Sequence, residues 1–479
     1  MLENQNDVQF IVDRVVERLL SGGTSNPREV ASVGSGVVSL MQTGRIGLFS
    51  TVAEAVSAAK VAQKLFAALP LAKRKKIIAQ VRATMLAHVE ELSKLAVDET
   101  GLGRYADKIS KNTLVIEKTP GPECLESKSF TGDDGMCLIE YAPYGVIGSI
   151  TPTTNPSETI INNGIGMVSA GNAVVFNPHP SAKQVSNRTV ELFNQAIMSQ
   201  GGPANVVCTI ASPTIETANQ LMKADGVRLL VVTGGPAVVG AAMNSGKKVI
   251  AAGPGNPPVV VDETADLDQA AKGIIDGASL DNNIVCIAEK EIIVVESVAD
   301  ALIAKLKQYG AYALLLHQVR QLEPIVIDGK YPNKKFVGKS AHVILKEIGV
   351  NVGEEVRLVF GEVTEEMHPF MQVEMLMPVL PLIRVKNVDE AIAMAVRVEH
   401  GFCHTAVMYS KNIDNLHQMA CSVNTSIFVK NAPSYSGLGL GGEGFTSFTI
   451  ASPTGEGLTT AKNFSRVRRC TLKEHFRIV

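Results

Sequence analysis

Between residues 145 and 251, short apolar segments alternate with longer helical segments, and this alternation limits the fold more than any other feature of the sequence. Apolar strands that alternate with helices are typical of a parallel sheet with helices on both faces. The predicted strands are 145–150, 173–176, 206–210, 228–233 and 248–251, and the predicted helices are 158–169, 182–199, 215–223 and 236–244. We therefore predict a doubly wound α/β sheet, in which ligands bind beyond the carboxyl ends of the strands.

A second region of the same character follows the first. Its predicted strands are 258–261, 292–295 and 406–409, and its predicted helices are 267–278, 299–309 and 389–398. Residues 45–118 show helical patterns, for example over 52–66 and 72–98. Residues 133–141 predict a hairpin outside the main sheet. The tail 466–479 is predicted to be extended, so it could pair with that hairpin or with a neighbouring subunit.

The composition is typical of a globular protein, because 46% of the residues are apolar and 19% are charged. The 45 basic residues nearly balance the 47 acidic ones, which argues against a nucleic-acid surface. No apolar run approaches the length of a membrane span, and the amino terminus lacks a secretory signal. The seven cysteines are scattered without a C-x-x-C pair, so we predict neither a disulfide framework nor a metal site, and a reducing, cytoplasmic compartment.

Cys286 lies in a setting that could expose a thiol to a cleft. It follows an Asn-Asn turn, stands between Val285 and Ile287, and precedes the β-rich run 291–295. As a thiolate, such a cysteine can attack a carbonyl carbon. A free cysteine is also commonly an inert buried thiol, and the local sequence leaves the two interpretations even.

Two strand ends of the first sheet could hold a ligand. The turn Thr233-Gly234-Gly235 leads into a helix whose first amide groups suit a pyrophosphate, although a plain strand-to-helix turn is the simpler interpretation. The other end, residues 151–158, includes Asn155. That asparagine could cap the following helix or point its amide into a site, and the sequence does not decide between these.

Taken in order, these motifs resemble the aldehyde dehydrogenase superfamily, and specifically its coenzyme A-acylating branch, over residues 45–470. The matching segments are the proline loop 151–156, the turn 232–235, the nucleophile segment 282–290, the glutamate–proline segment 374–379 and the glycine segment 437–449. The resemblance implies an aldehyde dehydrogenase-like α/β fold, with two doubly wound domains and a small β oligomerisation element, assembled as a homo-dimer or homo-tetramer.

The same resemblance implies a domain organisation. Its parts are a helix (1–20), a linker (21–44), a dinucleotide- and coenzyme A-binding domain (45–250, with the hairpin 130–142 contributing to oligomerisation), a catalytic domain (251–440) and a carboxy-terminal segment (441–479) that returns to the first domain and the oligomerisation element.

The resemblance also implies a reaction in which Cys286 forms a thioester from a small aliphatic aldehyde, acetaldehyde or propionaldehyde, with NAD and coenzyme A as co-substrates. The Asn155 side chain and the Cys286 amide would stabilise the oxyanion, with Thr154 as a rival donor. Val285 and Ile287 would contact the aldehyde. The implied cofactor-binding residues are Ile150, Thr151, Pro152, Thr154, Asn177, Pro178, His179, Thr233, Gly234, Gly235, Gly253 and Glu374.

Two departures from the family pattern bear on the chemistry. Hydrolytic members carry a water-activating glutamate where this chain has Ala252 or Gly253, so a thioester on Cys286 should persist until coenzyme A arrives. The lysine and glutamate that hold the adenosine ribose in many relatives correspond to Asn177 and Pro180. The choice between NAD and NADP therefore stays open.

Residues 3–20 predict a separate amphipathic helix. Its apolar stripe contains Val8, Ile11, Val12, Val15, Val16, Leu19 and Leu20, with charged residues on the other face. It could pack on its own domain. The small-residue linker that follows favours an external partner, and the segment resembles the encapsulation peptides of bacterial microcompartment enzymes. This resemblance implies cargo of a microcompartment that binds shell proteins through residues 1–20.

Two other functions compete with this interpretation. The first is a hydrolytic aldehyde dehydrogenase that uses Glu362 or Glu374 as its base. The second is an inactive, shell-associated protein with the same fold. His404 is interpreted as a packing residue, and Glu289 and Lys290 as a structural pair or as contacts of the sheet edge.

Overall fold

The computed structural model describes residues 46–475 and 477–478. The predicted helix 3–20 and its linker lie outside the described residues, and residues from Gly47 onward form one compact unit. The helices are α1 Val52–Ala67, α2 Leu71–Ala87, α3 Val89–Thr100, α4 Tyr105–Lys118, α5 Pro156–Ser169, α6 Lys183–Ser199, α7 Ile215–Lys223, α8 Pro236–Met243, α9 Leu267–Ser279, α10 Glu296–Gln308, α11 Leu316–Val326, α12 Ala341–Lys346, α13 Pro369–Gln372, α14 Val388–Val398 and α15 Ile413–Val423. The strands are β1 Leu48–Phe49, β2 Lys128–Gly132, β3 Gly135–Pro143, β4 Val146–Thr151, β5 Ala173–Pro178, β6 Val207–Ile210, β7 Val227–Thr233, β8 Lys248–Ala252, β9 Pro258–Val261, β10 Glu291–Val295, β11 Tyr312–Leu314, β12 Ile327–Asp328, β13 Tyr331–Pro332, β14 Val359–Val363, β15 Val379–Val385, β16 Thr405–Tyr409, β17 Ile427–Lys430, β18 Ile450–Ala451, β19 Gly457–Leu458 and β20 Ser465–Lys473.

The first sheet has six parallel strands in the order β1-β6-β5-β4-β7-β8. Its register places Ile150 beside Asn177 on β5 and beside Val232 on β7. Thr233 is in turn paired with Ala252 on β8. The carboxyl ends of four strands therefore meet along one edge, which is where a ligand binds in a sheet of this type.

The second sheet has seven parallel strands in the order β11-β14-β15-β10-β9-β16-β17. Its strands β9, β10 and β16 are wholly buried, as expected when helices cover both faces. Together the two sheets confirm the predicted α/β fold class.

A three-stranded antiparallel sheet, β2-β3-β20, stands apart from both. The predicted hairpin at 133–141 is present as β2 and β3, and the tail pairs with β3 of the same chain. Every residue of β20 after Ser465 is exposed to solvent.

The prediction of one helical segment over 72–98 is wrong in one respect, because this range contains two helices, α2 and α3. They are separated at His88, whose backbone leaves the helical conformation (φ −114°, ψ 14°). The His88 ring Nδ1 lies 2.9 Å from the Thr84 carbonyl oxygen. The apolar periodicity of the sequence does not show such a break, because each of the two helices buries an apolar face.

The cysteines and helices of the described part also bear on the class of protein. All seven cysteines are free thiols. Among the described residues, no helix combines the length and the apolar character that crossing a bilayer would require.

Asn172 joins the first sheet to the carboxy-terminal segment and provides a test of the fold. Its buried Oδ1 accepts from the Tyr144 and Gly145 amides at 2.7 and 3.1 Å. Its Nδ2 donates to the Met167 and Phe464 carbonyl oxygens at 3.1 and 2.8 Å. We expect Asn172→Ala to lower the free energy of unfolding by roughly 2–4 kcal/mol, because buried backbone groups lose their partners.

Chemical denaturation monitored by circular dichroism measures this loss. Asn244→Ala is the matched control, because Asn244 is exposed and donates to the Gly240 carbonyl oxygen of its own helix. Equal unfolding free energies for the two variants would contradict the assigned role of Asn172.

Candidate active site

A cleft of about 420 Å³ opens at the aligned strand ends of the first sheet and reaches Cys286 of the nucleophile segment. Every residue predicted to bind the cofactor lines it. Those residues are Ile150, Thr151, Pro152, Thr154, Asn177, Pro178, His179, Thr233, Gly234, Gly235, Gly253 and Glu374. Asn155, Val285 and Cys286 line it as well, so the structure brings the predicted nucleophile and oxyanion donors into one cavity.

The prediction that Ile287 contacts the aldehyde is wrong. Ile287 is fully buried and packs in the hydrophobic core behind the cleft. The segment is a turn here rather than an extended strand, since the Ala288 amide donates to the Val285 carbonyl oxygen at 3.0 Å. In a turn, the side chains on either side of Cys286 do not share a face.

Other apolar side chains complete the wall around Cys286. They are Ile284, Leu376, Leu438, Phe448 and Ile450. Phe448 belongs to the glycine segment 437–449, which was recognised in the sequence but given no place in the site. No local pattern marks these residues, because they come from loops that meet only in the folded chain.

Asn155 occupies the position before α5, but its side chain makes no capping hydrogen bond. Its Oδ1 accepts from Lys111 Nζ at 2.5 Å, and its Nδ2 donates to Thr154 Oγ1 at 3.2 Å. Of the two interpretations of Asn155, these contacts favour an amide directed into the site. Thr154 also lines the cleft, and both residues stay candidate oxyanion donors.

The Cys286 thiol lies in an environment that disfavours its ionised form. Burial raises its pKa to about 12; the charge of Glu374 adds to this rise and that of Lys290 opposes it. The Lys290 ammonium is held in place by Asn283, to whose carbonyl oxygen it donates at 3.0 Å. In the free enzyme at neutral pH, the sulfur therefore carries its proton.

The carboxyl groups near the cleft separate the rival mechanisms. Glu362 is exposed and pairs with Arg384 at 2.8 Å, and it does not line the cleft. Glu374 does line the cleft, and burial raises its pKa to about 7. Ala252 and Gly253 also line it, at the position of the hydrolytic glutamate, and neither has a group that can take a proton.

The residues at the strand ends fit a dinucleotide. Gly235, the residue before α8, provides no side-chain cap for the helix. Within the described part of the chain, no other heavy atom lies within 4 Å of the position that a Cβ of Gly235 would occupy, so a ligand can approach the backbone there. Pro236, the first residue of α8, has no N–H group, so the amides of Ala237 and Val238 are the ones available to donate to a phosphate. Thr151 Oγ1 is buried and has no hydrogen-bond partner among the described residues. Glu374 is the one acidic residue among those lining the cleft, and no lysine or arginine lines it.

Three further titratable residues lie beside the nucleophile segment. His404 is buried; a Cβ built on Gly255 would lie 3.0 Å from its ring and 2.9 Å from the Cys286 carbonyl oxygen. Burial, aided by the charge of Lys290, lowers the pKa of His404 to about 4, so its ring is neutral. Glu289 and Lys290 do not form the expected pair, because Glu289 accepts from Ser434 and Lys290 donates to Asn283.

Comparison with known proteins identifies the class. Residues 47–316 match the model of the aldehyde dehydrogenase family. The chain is 50% identical to the acetylating acetaldehyde dehydrogenase EutE of Escherichia coli K12, over 99% of this chain and 100% of that protein. The chain therefore belongs to the aldehyde dehydrogenase family.

Two solved structures place it more narrowly. A propionaldehyde dehydrogenase of Rhodopseudomonas palustris, with bound CoA and an acylated cysteine, is 50% identical with a TM-score of 0.89 over 90% of this chain and 99% of that one. A propionaldehyde dehydrogenase from a fucose-utilisation microcompartment of Clostridium phytofermentans is 46% identical with a TM-score of 0.89, over 91% of this chain and 100% of that one. Within its family, the protein is a coenzyme A-acylating aldehyde dehydrogenase, as the order of its motifs predicts.

The protonation of Cys286 can be tested directly. We expect its alkylation by iodoacetamide in the free enzyme to accelerate about tenfold per pH unit from roughly pH 7 to 9, because the thiolate fraction rises in that proportion below the pKa. Mass spectrometry of the Cys286 peptide measures the rate, and the exposed Cys421 thiol reports on the reagent in the same sample.

Glu374→Gln should accelerate this alkylation at about pH 9, since a neighbouring negative charge raises the pKa of a thiol and its removal lowers it. Glu362→Gln, which removes an exposed carboxylate outside the cleft, should leave the rate unchanged. A plateau below about pH 8 would show that the free enzyme already holds a thiolate.

Proposed function

We propose that this protein oxidises acetaldehyde or propionaldehyde to the corresponding acyl-CoA through a thioester on Cys286, with NAD as hydride acceptor. The observation that carries the proposal is that Cys286 lines a cleft together with Ala252 and Gly253, one of which corresponds, by the family resemblance, to the water-activating glutamate of hydrolytic members. The six-stranded sheet would hold the dinucleotide, and the turn before β10 of the seven-stranded sheet supplies the nucleophile.

In the proposed reaction, the Cys286 thiol releases its proton to solvent, and its sulfur then adds to the aldehyde carbon. The Cys286 amide and the Asn155 amide stabilise the oxyanion that forms. NAD, when bound, accepts the hydride from this adduct. Ile150, Thr151, Thr233 and the first turn of α8 would hold it, with Glu374 at its nicotinamide ribose. The product is an acyl thioester on Cys286.

The second half of the reaction transfers the acyl group. The thiol of coenzyme A attacks the thioester carbon, a new sulfur–carbon bond forms, and the bond to Cys286 breaks; the Cys286 sulfur leaves with the electron pair and takes up the proton that the coenzyme A thiol loses. The apolar wall formed by Ile284, Leu376 and Phe448 reduces the access of water to the thioester. Because coenzyme A exchanges one thioester for another, no additional base of the hydrolytic kind is required.

The apolar lining is compatible with either short aldehyde. A hydrophobic pocket distinguishes substrates by only about 1–3 kcal/mol per methylene, so acetaldehyde and propionaldehyde should both turn over. Neither an acidic side chain nor a basic one lies where the adenosine ribose would sit, at Asn177 and Pro180. These residues therefore select neither NAD nor NADP, and NAD is named as the acceptor because the family resemblance implies it.

A reaction carried out without coenzyme A provides the decisive test of this proposal. With aldehyde and NAD alone, we expect one equivalent of NADH per active site, an acyl adduct on Cys286 detected by mass spectrometry, and very slow release of free acid. Addition of coenzyme A should restore continuous NADH formation, because the persistent thioester is then consumed.

Cys286→Ala should abolish both phases, whereas Cys421→Ser, at an exposed thiol of α15, should leave them unchanged. Rapid, continuous release of free acid without coenzyme A would instead establish the hydrolytic alternative, with Glu374, which lines the cleft, as its base. The lack of any adduct would favour the inactive, shell-associated alternative.

We further propose that the protein acts as a homo-oligomer inside a bacterial microcompartment. The ribbon β2-β3-β20 presents exposed apolar side chains at Phe130, Val467 and Leu472, a surface suited to a second copy of the chain. The relative from C. phytofermentans comes from a microcompartment. The amphipathic pattern at residues 3–20 would bind the shell proteins.

Deletion of residues 1–20 should therefore leave NADH formation at the wild-type rate and abolish co-sedimentation with assembled shell proteins. Val12→Asp, which places a charge in the apolar stripe, should have the same effect. Asp13→Asn, on the polar face, is the control and should still co-sediment. Loss of turnover on deletion would show that the segment belongs to the fold of the enzyme.

A further inference from the structure

Four buried charged side chains connect α4 to both halves of the candidate active site. They are Lys108 and Lys111 on α4, Glu158 on α5 and Asp281 directly before the nucleophile segment, and each side chain is at most 1% exposed. Lys108 and Lys111 approach Asp281 to 3.0 and 2.5 Å, and Lys111 approaches Glu158 to 3.0 Å. The two positive charges balance the two negative charges. A buried charge is strongly destabilising unless it is paired in this way.

The two lysines have different tasks within this cluster. Lys108 Nζ donates to the Thr154 backbone carbonyl oxygen at 3.2 Å. Lys111 Nζ donates to the side-chain oxygen of Asn155 at 2.5 Å. Burial disfavours the charge of Lys111, but Asp281 and Glu158 outweigh it and raise the pKa. Lys111 is therefore a permanent cation behind the proposed oxyanion donor.

An ammonium group can only donate hydrogen bonds, so it accepts one orientation of the Asn155 amide. The oxygen must face Lys111, and the NH₂ group must face Thr154 and the cleft. In the flipped orientation, the NH₂ group would meet the ammonium and the oxygen would repel the developing oxyanion. We propose that Lys111 is a positioning residue, which fixes the Asn155 amide as a donor to the oxyanion. This inference rests on the proposed role of Asn155.

The same cluster also anchors the nucleophile segment. Asp281 has a left-handed backbone (φ 48°), and its Oδ1 accepts from the Arg104 amide at 2.6 Å. Gly103 must be glycine for this contact, because a Cβ there would overlap Asp281 Oδ1. Through Asp281, the cluster fixes the turn that precedes Cys286, while through Lys111 it fixes the opposing donor.

A double-mutant cycle tests the inference. The measured quantity is the rate of the first NADH formed per active site in the absence of coenzyme A, which follows thioester formation alone. We expect Asn155→Ala to lower it about 100-fold or more, as for the loss of one oxyanion donor, and Lys111→Met to lower it about 10- to 100-fold. In the Asn155→Ala background, Lys111→Met should have little further effect, because it acts through the amide that is already absent.

Lys94→Met is the control, since Lys94 is an exposed lysine of α3 that pairs with Asp98 outside the cluster, and it should keep the wild-type rate. The pH dependence of Cys286 alkylation is a second readout, which Lys111→Met should shift only slightly toward higher pH, because the charge of Lys111 is a minor influence that lowers the pKa of Cys286. If Lys111→Met alone does not fold, Lys111→Met with Glu158→Gln removes one charge of each sign and replaces it in the cycle.

The inference would be overturned by additive losses in the cycle, by a wild-type rate for Lys111→Met, or by equal losses for the two lysine variants. A wild-type rate for Asn155→Ala would instead refute the proposed oxyanion role of Asn155, and the positioning role with it. If Asn155→Ala is slow and the losses are additive, only the positioning role fails.

Discussion

The parallel register of the six-stranded sheet is the constraint on which the candidate active site depends. Because Ile150 is level with Asn177 and Val232, the loops after β4, β5 and β7 begin at the same height and enclose one cleft. A shift of one residue would turn each loop to another face of the sheet. The second sheet then needs to contribute only a short turn, which brings Cys286 to the end of that cleft.

The burial of ionisable side chains determines which chemical steps this cleft favours. The thiol of Cys286 and the carboxyl of Glu374 both have raised pKa values because burial in the cleft disfavours their ionised forms, and Lys290 opposes both shifts. The apolar side chains that line the same cleft would limit the approach of water to a thioester. A site that hydrolysed its thioester would need an ionised base beside an ordered water, and Ala252 and Gly253 provide no such group. An apolar cleft without such a base is therefore consistent with transfer of the acyl group to a carrier thiol.

Local sequence patterns predict the parts of this fold that depend on local interactions. The βα alternation, the hairpin and the pairing tail were all predictable, because apolar periodicity is set within each element. Ile287 was assigned to the aldehyde because it is adjacent to Cys286 in the sequence, but the turn at 285–288 buries its side chain in the core. The break at His88 was missed since helices on either side bury the same face. The cluster of Lys108, Lys111 and Asp281 was missed because Asp281 lies 173 residues from Lys108 in the chain, and no pattern within one segment indicates such a contact.

This cluster explains why two lysines can lie in the interior of an otherwise apolar region. A buried ion pair is often replaceable by apolar residues without loss of stability, so stability alone is a weak reason for its presence. Orientation is a stronger one, because a neutral side chain in place of Lys111 could not distinguish the two ends of the Asn155 amide. Glu158 and Asp281 then keep that lysine charged, and Lys108 balances the second carboxylate. On this view, four ions are retained in the interior so that one amide group points in one direction.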